Sequence, residues 1–209
     1  MLRVFSVALM LLAPLPYFTG PNVPGPAGAD RVEEDWQVIL ATPDPDLTCP
    51  QISTTMKLDA TDTSPFCTFS LNYQDFPEFS PGGLQAKIIQ GDQTLASSKQ
   101  ATGQLQTTGE TITWTQRLSL SGGNLNYKIT AGQSTTWGPF GTTDTQLAVT
   151  TPTPVASLDN YSPDASVANS GPSFGDNRLA TMTLLQVRYY QGQTLLSTDT
   201  TSRKVKLAN

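Results

Sequence analysis

Apolar and polar side chains change places every second position along much of this chain. Ile52, Thr54, Met56 and Leu58 alternate with Ser53, Thr55 and Lys57. Cys67, Phe69, Leu71 and Tyr73 alternate with Thr68, Ser70 and Asn72. Ile112, Trp114, Leu118 and Leu120 oppose Thr111, Thr113, Arg117 and Ser119. Leu125, Tyr127, Ile129 and Ala131 oppose Asn124, Asn126, Lys128 and Thr130. A period of two puts one face of each segment in a core and the other in water, as in antiparallel sheets. Further strands are expected at Trp36 to Thr42, Leu84 to Gln90, Thr94 to Lys99, Leu147 to Thr151, Ser166 to Asn169, Ala180 to Tyr190 and Thr194 to Asp199. Pro81-Gly82-Gly83, Gly91-Asp92, Gly122-Gly123 and Gly192-Gln193 supply turns between them. No stretch carries a 3.6-residue pattern. The expected fold is all-β, a two-sheet antiparallel sandwich of about 12 strands. Tyr73 to Gly83 and Pro152 to Asn177 break the alternation and read as long loops, the second with a short strand inside.

The first residues obey another rule. Arg3 precedes an apolar run from Val4 to Leu15, too short for a bilayer span of about 20 residues but suited to a secretory leader. Ala27-Gly28-Ala29 offers a small-residue cleavage site, with Thr19-Gly20 as an upstream alternative. The expected organisation is a leader over 1–29 and one sandwich domain over 30–209 without a membrane span in that mature part; an N-terminal membrane anchor that is never cut is the alternative. The expected location is secreted or in the cell envelope. In that setting Cys49 and Cys67 are expected to form one disulfide, worth about 3 kcal/mol by loop closure. Two buried free thiols are the alternative. The net charge of −5 repels nucleic acid and anionic membrane, so neither is expected as a partner.

Histidine is absent from the sequence. That removes Ser-His-Asp triads, Cys-His pairs and His-ligated zinc. Two cysteines cannot supply a four-thiolate site, and no phosphate-binding glycine motif follows a strand. Only four glutamates exist, Glu33, Glu34, Glu78 and Glu110, and no strand carries acidic residues at alternate positions in an E-x-D-x-E run. A carboxylate pair assembled across the fold is the remaining route to glycoside hydrolysis. No cofactor is expected. A structural calcium is the one candidate ion, with Asp164, Asp176 and Asn177 in the late loop as weak ligands, although turns favour the same residues. Trp36 and Trp114 share parity with apolar neighbours and belong in the core. Trp137 precedes Gly138-Pro139, and one of the adjacent Tyr189 and Tyr190 must face outward. Trp137, Tyr189, Tyr190 and Arg117 are therefore the candidate ligand-binding residues, aromatic rings being able to stack on sugar faces. For Arg117 an ordinary place on a wet strand face is the competing reading.

Several strings resemble a group of uncharacterised secreted proteins of planctomycete-type bacteria. They are Arg31 to Trp36 (RVEEDW), Thr42 to Pro45, Thr111 to Arg117 (TITWTQR), Gly132 to Gly141 (GQSTTWGPFG), and the Tyr161 to Tyr190 region with SPDASVANSG, FGDNR and VRYY. That resemblance implies no activity. More loosely, Trp137 to Phe140 and Val187 to Tyr190 look like strands of concanavalin-like and laminin-G-like jelly rolls. This implies a jelly-roll sandwich that often binds glycans on its concave sheet. The resulting expectation is an exported non-catalytic sandwich that binds polysaccharide or another extracellular polymer. A structural protein of the envelope and a cryptic carbohydrate-active enzyme are the alternatives.

Overall fold

The computed structural model describes residues 25–42, 50–58, 64–73, 83–100, 108–175 and 178–207. They form the expected all-β sandwich, with thirteen strands and one short helix among them. The chain starts in the larger sheet with β1 (Arg31–Leu40) and crosses to the smaller sheet for β2 (Gln51–Lys57), β3 (Phe66–Tyr73), β4 (Gly83–Gln90) and β5 (Gln93–Gln100). It returns for β6 (Thr111–Ser121), β7 (Asn124–Ser134), β8 (Gly138–Phe140) and β9 (Ala148–Pro152). After helix α1 (Pro163–Ala168), β10 (Gly171–Phe174) joins the smaller sheet. β11 (Leu179–Gln191), β12 (Thr194–Asp199) and β13 (Arg203–Lys204) complete the larger one. Its order is β12-β11-β1-β6-β7-β8, with β13 also on β11 and β9 on β7. The smaller sheet runs β10-β2-β3-β4-β5. β1 thus sits between β6 and β11, antiparallel to both.

The alternation read from the sequence becomes the inner faces. Ile52, Met56, Phe69, Leu71, Ile112, Leu118, Leu125, Tyr127 and Ile129 are fully buried. The two sheets meet through aromatic rings. Trp36 and Trp114 stack at 6.4 Å between centroids, and Phe69 of the smaller sheet meets Trp114 edge-on at 5.4 Å and Phe140 at 6.0 Å.

Ala131 departs from its expected inward place. It is exposed at φ +50°, where the β6–β7 register shifts between Thr113 and Thr115. This bulge inverts the parity beyond it, so Gly132 and Ser134 turn inward. Gly132 there lies flat under Phe140, and a Cβ on it would fall 2.3 Å from the ring.

Ser166 to Asn169, expected as a strand, lies in and just after α1 instead. Ser162 caps the helix by accepting from the Ala165 N–H, Pro163 opens it, and Asp164 sits in the first turn. A six-residue helix is too short to show a period, so only its cap could have announced it.

Cys67 is a free, fully buried thiol on β3, and burial pushes its pKa well above the ordinary value. The expected bridge to Cys49 is therefore not present among the described residues; Cys49 lies outside them.

The packed structure begins upstream of the expected boundary at Asp30. Ala29 is fully buried, its carbonyl accepts from Leu158 N–H at 2.8 Å, and Gly28 N–H donates to Asp159 Oδ1 at 2.8 Å. Gly25 leaves no room for a side chain beside the Tyr189 ring. A chain starting at Asp30 is expected to be about 2–3 kcal/mol less stable than one starting at Gly25, from two lost hydrogen bonds and the Ala29 methyl. Urea unfolding of the two chains checks this; equal midpoints would show that residues 25–29 contribute nothing.

Candidate functional site

β1 carries four charged residues in its first five, Arg31, Glu33, Glu34 and Asp35. Strand parity sends Glu34 inward beside Val32 and Trp36, and Glu33 and Asp35 outward. Two polar assemblies follow, one inside the sandwich and one on the outer face of the larger sheet.

On the outer face, the strand register lines up Arg188 of β11, Glu33 of β1, Arg117 of β6 and Lys128 of β7 in one cross-strand row. At a strand spacing of about 4.8 Å this row spans about 14 Å. Arg117 Nε donates to Glu33 Oε1 at 2.8 Å, and Tyr190 Oη and Arg188 Nε both donate to Oε2 at 3.3 Å. Arg31 adds a contact at 3.7 Å and holds its guanidinium 3.9 Å from the Tyr190 ring centre. So surrounded, Glu33 is only 6% exposed although it faces outward.

Asp35 heads the adjacent row. Arg188 grips it with both terminal nitrogens, at 2.6 and 2.8 Å, while Gln186 Nε2 and Thr115 Oγ1 donate at 2.5 and 2.6 Å. Burial alone would raise the Asp35 carboxyl, but the hydrogen bonds from Arg188, Thr115 and Gln186 outweigh it and hold it below the ordinary aspartate value. The same fork keeps Arg188 above its usual pKa in spite of its partial burial. Ser119, Asn126 and Thr130 continue the face with hydroxyls and an amide.

Inside, Glu34 is fully buried and has no ion pair among the described residues. Trp36 Nε1 and Gln116 Nε2 donate to its Oε2 at 2.8 and 2.6 Å, and Tyr161 Oη donates to its Oε1. Gln116 Oε1 in turn accepts from Thr54 at 2.9 Å and from Tyr127 at 2.9 Å. Since Thr54 belongs to the smaller sheet, this network joins the layers. Burial raises the Glu34 pKa, and the donors from Tyr161, Trp36, Gln116 and Ser166 offset this only in part. Tyr161 also lies well above the usual tyrosine value, by burial and then by the Glu34 charge.

Of the residues expected to bind ligand, Arg117 and Tyr190 come together at Glu33. Tyr189 does not join them. It is 4% exposed and packs edge-on against Tyr161 at 6.3 Å. Trp137 precedes β8 at the opposite edge of the sheet and is half-buried against Phe140 at 5.2 Å. Asp164, a calcium candidate, is ion-paired with Arg203 at 2.7 Å, and Asp176 and Asn177 lie outside the described residues. No group of three or more potential metal ligands occurs among the described residues. No described helix is long and apolar enough to cross a membrane. Glu33, Asp35, Glu34 and Gln116 carry the assemblies but were not expected as site residues. Their signal was parity: Glu34 and Gln116 occupy inward positions otherwise held by Trp36, Trp114 and Leu118.

No family profile matches the chain, and no curated protein matches it. Two solved structures of scytalido-glutamic peptidase, each with a transition-state analogue, align with 86% of this chain and with 84% and 83% of theirs. Identity is 10% and 9%, with a TM-score of 0.34 for both. A likeness at that level assigns neither family nor chemistry to this chain.

Proposed function

We propose that this chain is an exported, non-catalytic binding module that holds an extracellular polysaccharide on the outer face of its larger sheet. The observation that carries this reading is the fixed row Arg188–Glu33–Arg117–Lys128, flanked by Asp35 and Tyr190. Sugar hydroxyls both donate and accept, and this face offers the guanidinium of Arg117 and the ammonium of Lys128 beside the hydroxyls and amide of Ser119, Thr130 and Asn126. The side chains already hold one another in place, so binding orders few further rotamers. Tyr190, with the Arg31 guanidinium over one face of its ring, adds the other face for a sugar to lie against.

Affinity electrophoresis of the full chain through gels containing single polysaccharides tests the reading. At least one polymer is expected to retard it, and Tyr190→Ala is expected to weaken that retardation tenfold or more with the fold intact by circular dichroism. Free migration through neutral, uronic-acid and sulfated polymers alike would remove the proposal. A role in envelope assembly draws on a different feature: the edge strand β12 exposes Leu195 (51%) and Leu196 (36%). Retention in the envelope after sugar and salt washes, without binding in gels, would favour that role.

A further inference from the structure

We infer that Arg117 and Lys128 form an anion-binding subsite on this face, so that the polysaccharide it takes carries carboxylate or sulfate groups. The inference rests on the polysaccharide-binding reading and narrows it. Arg117 and Lys128 stand directly opposite each other on β6 and β7. Like charges so placed, with Cβ atoms about 5 Å apart, destabilise a sheet unless something neutralises them. Glu33 serves Arg117 from one side, engaging only its Nε. The two terminal nitrogens of Arg117 have no partner among the described residues, and its side chain is 38% exposed. They remain as a fork suited to a planar carboxylate or a sulfate ester.

Lys128 is neutralised by Asp144, whose carboxylate lies 2.5 Å from Nζ. Asp144 belongs to the loop between β8 and β9, and its side chain is fully exposed. It feels both cations: the hydrogen bond and charge of Lys128 pull its carboxyl below the aspartate range, and the charge of Arg117 adds to this. A carboxylate of the chain itself thus occupies the place where a ligand anion would sit. Water surrounds it on all other sides, so a polymer anion can displace it at little cost. The protein as a whole is negative, at −5, so a polyanion can gain only at a local site of this kind.

The test titrates the full chain with polygalacturonate, dextran sulfate and neutral dextran at low and at moderate salt. Polygalacturonate or dextran sulfate is expected to bind, tenfold or more weaker at the higher salt. The preferred polymer separates carboxylate from sulfate. Arg117→Gln and Lys128→Gln are each expected to lower affinity tenfold or more, and Lys87→Gln on the smaller sheet to leave it unchanged. Asp144→Asn removes the competing carboxylate and is expected to tighten binding several-fold, a gain that a misfolded variant could not produce. Salt-insensitive binding of the neutral polymer, unaltered in all three site variants, would overturn the anion subsite and leave the polysaccharide reading standing. Binding of none of the three would overturn both.

Discussion

Gln116→Leu is expected to cost on the order of 4 kcal/mol, far more than its loss of one amide suggests. Leucine fits the volume but takes away one donor and one acceptor at once. Glu34 Oε2 keeps only Trp36, and the hydroxyls of Thr54 and Tyr127 lose their acceptor. Each buried polar group left without its partner costs about 1–3 kcal/mol, and a charged one more. Glu34 is the sensitive partner, because it is fully buried and relies on neutral donors alone. Glu34→Gln tests this directly. Its amide oxygen can accept from Trp36 and Gln116, while its NH2 donates to Tyr161 Oη, which turns its own proton to Ser166 Oγ, already 2.8 Å away.

The pH dependence follows from the direction of the shift. The folded pKa of Glu34 lies above its ordinary 4.5, so its favourable contribution is complete below pH 4.5 and is lost as pH rises through the folded value. Asp35 behaves in the opposite sense. Its lowered folded pKa contributes above 3.8 and fades as pH falls through the folded value. Replacing Glu34 by glutamine removes the first dependence and keeps the second. Its melting temperature relative to the native chain is therefore expected to climb between pH 4 and pH 8. In that background Gln116→Leu should lose at least about 1 kcal/mol less than in the native chain, the coupling expected of neighbours in one network. Chemical unfolding of the four chains at pH 7.5 measures it. Strict additivity would mean that the carboxylate and the amide do not act together.

How far the molecule was legible from its sequence turns on what parity can and cannot say. Where apolar residues mark one face, as in Ile112-x-Trp114, the strand, its orientation and its buried side were all readable. Glu34 and Gln116 hold inward parity too, but a polar residue there interrupts an oily pattern instead of extending it, and parity names no partner for it. The partners of Glu33 were a different matter. Arg117 and Arg188 are 84 and 155 positions away, and only the placing of β1 between β6 and β11 brings them to one carboxylate. Strand order is a property of the whole chain, settled by which faces can be covered together, and no local periodicity encodes it. Tyr189 and Tyr190 show the boundary well. Adjacency required one to face out, but which one depended on the pairing of Val32 with Tyr189 and of Arg31 with Tyr190.

Phe69→Ala should be the most damaging single truncation in the core, with an expected loss of about 3–5 kcal/mol. Phe69 is fully buried on β3 and is the ring through which the smaller sheet touches both Trp114 and Phe140 of the larger one. Alanine would leave an unfilled space between the layers, and Phe140 cannot move far into it. The Phe140 ring is held over Gly132, which lacks a side chain where a Cβ would approach to 2.3 Å, and packs on Trp137 from the side. The site therefore collapses poorly, which places the loss toward the upper end of the range. Phe69→Leu retains most of the apolar contact and is expected to lose only about 1–2 kcal/mol. Urea unfolding followed by tryptophan fluorescence reports on both, because Trp114 lies against the mutated position. A loss below about 1 kcal/mol for the alanine variant would mean that the two sheets do not meet through this ring, and the inter-sheet packing described for Trp36, Trp114, Phe69 and Phe140 would have to be abandoned.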